Sequence, residues 1–311
     1  MSGGTPFPVD PVLVGIIQAY KNDKLIADDV LPRLNPLLPK EEFKWWFFDF
    51  AQFITLHDTK VGRKSEPNQV EFEAQERTSR TDDYGLDDLI PNVDQANAPA
   101  GYDPRAFAAQ KLIDLVLLDR EVRVANKTMS AATYGVNNKE TLTGTSKWTD
   151  AASTPIKHVA AAADTMIIRP NNAVCSRSVW TALRTNPSVL RALTPSGSQD
   201  GYANKRAVAD LLELDDILVG EGWLNIAKPG QSPVRARVWP NKFLLFHKAA
   251  LADSVSAQPT FGWTAQFGTR VSGSLPQPKA GLRGSELVRS GESVKEVISA
   301  PELGYLFEGV I

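Results

Sequence analysis

DPRAFAAQKLIDLVLLDREVRVANKTM, residues Asp103–Met129, decides the fold. Asp103 is a good helix N-cap, and Pro104 follows at the first helical position, where a missing N–H costs nothing. No further Gly or Pro interrupts the run. Ala108, Leu112, Leu115, Leu118, Val122, Ala125 and Met129 recur at steps of three and four, which predicts one apolar stripe along a helix. Arg120, Arg123 and Lys127 form a separate basic line, expected to be free for a surface or a neighbour. Asp119 stands four residues before Arg123, a favourable helical pair. A helix of this length runs roughly 40 Å, so it is expected to be a beam on which other elements rest.

The 311 residues are 42% hydrophobic and 23% charged, as in an ordinary globular protein with a sizeable core. A formal net charge of −2 speaks against a protein that binds nucleic acid by bulk electrostatics. The single cysteine, Cys175, excludes an intramolecular disulfide and a cysteine zinc site. No apolar run is long enough for a transmembrane helix, and MSGGTPFPVD lacks the basic and apolar regions of a secretory signal. No membrane association is expected.

Upstream of the helix, residues 1–40 read as an arm. Prolines 6, 8, 11, 32, 36 and 39 break it up, and it must lie across another surface, its own or a neighbour's. Pro11–Tyr20 suits a short helix with Val12, Ile16 and Tyr20 on one side. Residues 41–84 read as a long hairpin. Phe43–Phe50 (FKWWFFDF) puts Trp45 and Phe47 on one face and Trp46, Phe48 and Phe50 on the other, so both faces need cover. The tip, His57–Asn68, is polar and carries Lys60, Arg63 and Lys64, and Val70–Ala74 alternates as a returning strand.

Downstream, residues 85–150 contain the helix and a polar connection, and 151–249 read as a compact α/β unit. Thr154-Pro155 opens a helix, Met166–Arg169 and Ala173–Cys175 suit strands, and Ser176 caps the next helix. Asn186-Pro187 interrupts that helix. The polar loop Thr194–Ala203 is long enough to be exposed. Strands are expected at Ile217–Val219, Val234–Trp239 and Phe243–His247. In residues 250–311 the alternation Phe261, Trp263, Ala265, Phe267 predicts a strand, Gly273–Arg289 reads as loop, and Ser293–Ser299 and Leu303–Phe307 close the chain.

Nothing in this order assembles an active site, and no catalytic residue, cofactor or metal ligand is assigned. His57, His158 and His247 show no metal-ligand spacing. Cys175 follows a strand without the arginine of a phosphatase loop and reads as a small buried hydrophobe. Neither G-x-S-x-G, G-x-x-x-x-G-K-[ST] nor G-x-G-x-x-G is present. The acidic pairs Asp82-Asp83, Asp87-Asp88 and Asp215-Asp216 read as solvated loop charges and caps.

Three local patterns fall in the second half. They are RPNNAVC (169–175) with VWTAL (179–183), LLELDDILVGEGW (211–223), and GESVKEVISAPELGYLF (291–307). With the order of segments, they make the whole chain resemble the major capsid proteins of tailed bacteriophages, of the Hong Kong 97-like fold. The resemblance implies an α+β subunit: N-terminal arm 1–40, E-loop hairpin 41–84, peripheral (P) domain 85–150 with its spine helix, axial (A) domain 151–249, and P-domain return 250–311.

It further implies self-assembly into pentamers and hexamers of an icosahedral head around double-stranded DNA held without sequence-specific contact. Synthesis would take place in the bacterial host cytoplasm. A separate scaffolding protein, a portal and a decoration protein would be the partners. Trp45, Trp46 and Phe48 are expected at a seam between subunits, with Lys60, Arg63 and Lys64 meeting a neighbour's acids. Ser196, Gly197, Ser198, Gln199 and Asp200 would line the capsomer centre. Some relatives cross-link an E-loop lysine to a neighbour's asparagine; Lys60 and Lys64 lie in that region, but no partner is assigned. An encapsulin-like compartment shell is the alternative, and a soluble α/β enzyme a further one.

Overall fold

A computed structural model describes residues 7–48, 54–70, 74–194, 201–249 and 259–311, and leaves the side chains of Trp46 and Phe48 undescribed. The long helix, α4, spans Pro104–Thr128. Asp103 caps it by accepting from the Arg105 N–H at 2.9 Å, as the Asp-Pro start predicts. It is preceded by α1 (Pro11–Ala19), α2 (Ala27–Val30), the hairpin β1 (Glu42–Phe48) and β2 (Ala74–Arg80), β3 (Asp82–Pro91) and α3 (Asn92–Ala96).

After α4 come β4 (Lys139–Thr141), α5 (Pro155–Thr165), β5 (Asn172–Ser176), α6 (Arg177–Thr185), α7 (Pro187–Leu193), α8 (Lys205–Leu211) and β6 (Asp216–Gly220). Then follow β7 (Trp223–Asn225), β8 (Arg235–Arg237), β9 (Phe243–Phe246), β10 (Gly262–Gln277), β11 (Ser285–Ile298) and β12 (Gly304–Glu308). The cap read from the sequence at Ser176 holds, its Oγ accepting from Val179 N, and at the expected break Asn186 caps the next helix, its Oδ1 accepting from Ser188 N. Met166–Arg169, by contrast, forms no strand.

Two main sheets organise the chain. Helix α4 and the arm pack against a three-stranded antiparallel sheet in the order β10-β11-β3. The stretch 273–289, expected as loop, is instead the outer half of the β10–β11 hairpin, paired from Val271↔Gly291 to Gln277↔Ser285. Its Gly, Ser, Pro and Arg content hid a long ribbon, and among its paired residues only Val271, Pro276 and Arg289 are exposed. A bulge between Phe267 and Val271 re-aims the strand and points Arg270 inward.

Strand β3 carries the acidic pairs that read as solvated loop. Across the ladder from Asp87 sits Arg289, which grips it in a bidentate pair at 2.6 and 2.7 Å. Lys295 meets Asp82 at 2.8 Å. These carboxylates are therefore cross-strand partners on an edge strand.

The second sheet runs β4-β12-β9-β5-β6. Its core gathers Trp148, Leu183, Ile217, Phe243 and Phe307. The C-terminal strand β12 pairs with β9 and β4, so the end of the chain completes this sheet and not the one beside the helix. Strands β4 and β6 form its two opposite outer edges.

Of the expected α4 stripe, Ala108, Leu112, Ala125 and Met129 are buried and Leu118 and Val122 half-buried, while Leu115 is 52% exposed. The buried face is wider than that stripe and also takes in Ala109, Ile113, Val116, Val124 and a charged residue, Arg120. On α1 the buried residues are Leu13 and Ile17, with Val12 outward. The arm lies on its own chain: Leu34 N donates to Thr264 O and Leu38 N to Gln266 O, which extends the sheet beyond β10. Leu31 is fully buried.

Gly220, at the end of β6, lets the Trp239 ring approach so closely that an added Cβ would sit 2.1 Å from its Cδ1. Gly220→Ala is expected to destabilise the unassembled subunit by about 1–3 kcal/mol, as overpacking does, measured as a lower urea midpoint.

Candidate functional site

For a chain built this way the working parts are the device that holds the subunit rigid and the surfaces it turns outward. The first is a charged junction beneath α4. Consecutive residues of the helix, Arg120 and Glu121, are 1% and 0% exposed. Arg120 donates to Asp28 Oδ1 at 2.5 Å, to Thr264 Oγ1 at 3.0 Å and to Leu31 O at 3.3 Å. Glu121 accepts from the backbone N–H of Ile26 at 3.1 Å and of Ala27 at 2.7 Å, and from Trp239 Nε1 at 2.5 Å. One dipeptide thus fixes the arm, β10 and the indole that closes over β6.

A second layer surrounds it. Arg33 donates to Asp28 at 2.8 Å, to Glu292 at 2.8 Å and to Gln266 at 2.7 Å. Glu292 has no exposed side chain and also meets Arg270 at 3.3 Å. Arg270 in turn donates to the carbonyl of Ile17 at 2.9 Å, at the end of α1. Arg123 pairs with Asp119 and with Glu296 at 3.0 Å, and Lys127 donates to the Glu296 carbonyl at 2.5 Å. The three basic residues expected to be free are therefore all engaged within the subunit.

Burial alone would raise the carboxyl pKa of Asp28 and of Glu292. The surrounding guanidiniums outweigh it, Arg120 and Arg33 at Asp28 and Arg33, Arg120 and Arg270 at Glu292, and hold both below the usual carboxylate range. Glu121 goes the other way, because burial raises it more than its three donors lower it. Burial also pushes the thiol of Cys175, expected as a small buried hydrophobe, up to about 12.

The outward parts start with the β1–β2 hairpin. At its base Trp45 stacks on Phe43 at 5.7 Å and meets Trp263 edge-on at 5.9 Å, so this face of β1 covers its own chain. Trp46 and Phe48 take part in the backbone pairing, Trp46↔Glu76 and Phe48↔Ala74. Residues 54–70 are exposed throughout, and Lys60, Arg63 and Lys64 form no ion pair among the described residues. Of the expected returning strand Val70–Ala74, residues 71–73 lie outside the described residues, and a strand is described at Ala74–Arg80. Ser196, Gly197, Ser198, Gln199 and Asp200 lie outside the described residues. Among the described residues no group of three or more His, Cys, Asp or Glu could hold a metal ion, and no helix is long and apolar enough to cross a membrane.

An α+β subunit with an arm locked under a long helix, an extended hairpin and a separate five-stranded sheet is the Hong Kong 97-like capsid fold. Its residues 123–221 match the family model described as Phage major capsid protein E. The chain is 45% identical over 306 residues to the major capsid protein of Pseudomonas phage JBD67, covering 98% of both. It is 23% identical over 324 residues to that of Burkholderia phage BcepMu, covering 97% of this chain and 96% of the other. A crystal structure of a phage-related protein from Bordetella bronchiseptica RB50 superposes with a TM-score of 0.76 at 22% identity, covering 98% and 99% of the two chains. The chain belongs to the phage major capsid protein family, and its place is in the virion shell.

The junction makes two expectations concrete. Glu121→Leu leaves three buried donors without an acceptor and should cost the unassembled subunit about 3 kcal/mol or more, whereas Glu121→Gln, which keeps an acceptor oxygen, should cost less in the same urea titration. The depressed carboxyls of Asp28 and Glu292 contribute stability above the usual carboxylate range, about pH 4, which is lost as pH falls through their lowered values. Glu121, raised, has the opposite sign and softens that loss. Glu292→Gln should therefore lower the urea midpoint at neutral pH and flatten its further fall on acidification.

Proposed function

We propose that this capsid protein assembles into pentamers and hexamers that close an icosahedral head around double-stranded phage DNA, and that the exposed hairpin makes contacts to neighbouring subunits. The observation that carries the second part is the tip itself. Residues 54–70 extend from a base anchored by Phe43, Trp45 and Trp263, and they present three cations with no ion-pair partner among the described residues. A single-chain core gains nothing from such a projection. A shell gains many weak contacts that multiply in a closed assembly.

In this reading Lys60, Arg63 and Lys64 meet carboxylates on the next subunit. Trp45, Trp46 and Phe48 lie along a seam between copies, and residues 196–200 surround the capsomer centre. The DNA is held without sequence-specific contact, as a near-neutral chain suits. The role is structural and not catalytic. A separate scaffolding protein guides assembly in the bacterial host cytoplasm, and a portal and a decoration protein are further partners of the head. The 45% identity to a phage major capsid protein favours a genome-containing head over an encapsulin-like compartment.

Deleting Thr55–Asn68, co-expressed with the other head proteins, should leave a folded subunit with its circular dichroism intact and abolish stable particles in sedimentation. Particles of unchanged yield and heat resistance would remove the hairpin from the assembly mechanism.

A further inference from the structure

A groove of about 720 Å³ follows the outer edge of β6. Asp23, Ile26 and Asp29 of the arm form one wall, and Trp180 and Arg184 of α6 with Tyr202 form the other. The floor is apolar, from Leu218 and Val219. Two of its cations are already matched: Arg177 holds Glu221 at 3.0 Å and Lys205 holds Asp216 at 2.7 Å. Arg184 forms no ion pair among the described residues. Its guanidinium carbon lies 4.8 Å from the centre of the Tyr202 ring and 5.8 Å from that of Trp180, and its buried Nε has no acceptor among the described residues. The two rings orient the group, as stacking on aromatic faces does, and leave Nε open to an oxygen from outside. Tyr202 is 72% exposed, an aromatic left facing solvent.

The opposite edge of the same sheet, β4, carries the complement. Val136, just before β4, is 85% exposed on a short turn. Glu140, within β4, is exposed and forms no ion pair among the described residues. Phe47 and Arg77 from the base of the hairpin line a recess with Val136 and Asn137, so the hairpin leaves the subunit on this flank.

A contact of the groove with itself about a twofold axis ends at a dimer, whereas a head-to-tail contact of one flank with the other closes a ring when repeated by rotation. We propose that the β6-edge groove receives the β4 flank of a second copy of this chain, with the Glu140 carboxylate meeting Arg184 and Val136 entering against Tyr202 and Trp180. The same docking carries the hairpin of the second copy toward the first. The exposed edge of β4 is covered in the ring, which removes a liability each subunit would otherwise expose. This inference rests on the ring-forming reading above and names the surfaces that form the ring.

The test uses the full chain co-expressed with its head proteins. Glu140→Arg and Arg184→Glu should each lower particle yield by about tenfold, the scale on which opposed charges at an interface act, and the double variant should recover most of it. Singles that assemble like the unsubstituted chain, or a double no better than the worse single, would overturn the proposal. Independently, Val136→Cys with Tyr202→Cys, treated with a short bis-maleimide, should give a denaturing-gel ladder that ends at five and six subunits. Cys175 is buried and does not compete. A ladder that stops at dimers, or uncross-linked particles, would refute the groove contact while leaving the shell reading intact. Failure of the unsubstituted chain to form particles at all would overturn both.

Discussion

The dipeptide Arg120-Glu121 is the point on which the subunit turns. Two adjacent residues of opposite charge, both without solvent, hold the arm, β10 and the Trp239 indole to one helix. Neither would be tolerated there alone, since an unpaired buried charge costs several kcal/mol. Together with Asp28, Arg33, Glu292 and Arg270 they leave few donors or acceptors unsatisfied, Arg120 Nε being one. Such a network adds little to net stability over well-packed hydrophobes. What it adds is a single permitted placement of the arm on the helix, because any slip strands a charge.

That placement matters for a shell. A subunit repeated around closed rings must present the same flanks each time, so its internal geometry has to be stiff while its contacts remain numerous and individually weak. The charged junction, the Arg289–Asp87 and Lys295–Asp82 ladder pairs and the completion of the second sheet by β12 all act inside the subunit. Among the described residues, groups left unmatched on the outside include the cations of the hairpin tip, Arg184 Nε beside Tyr202, and Glu140 at the far edge, with Val136 exposed near it.

Local chemistry was legible in the sequence and partner choice was not. The Asp103-Pro104 start, the Ser176 cap, the break at Asn186-Pro187 and strands β5, β6 and β9 follow from residues that act on their immediate neighbours. Most of the α4 stripe was legible too, but not the inward Arg120, because the periodicity rule sends charges outward and Asp28 and Thr264 wait for it 92 and 144 residues away. Strand β3 and the outer half of β10–β11 were missed for the same reason. Asp82 and Asp87 look like loop acids until Lys295 and Arg289 are set opposite them. Of the candidate assembly residues, Trp45 is half-buried against its own Trp263, a contact the sequence did not foretell, while Lys60, Arg63 and Lys64 stand exposed. The groove at β6 had no signature at all, since the residues that build it come from four separate segments.

The measurement that bears most directly on this account is electron cryomicroscopy of heads built from this chain, at a resolution that traces each subunit. The account predicts that Arg120 and Asp28 remain paired in every copy, with the arm on its own helix, and that residues 54–70 lie against a neighbouring subunit. Heads in which the arm leaves its own helix, or in which residues 54–70 touch no other copy, would contradict it.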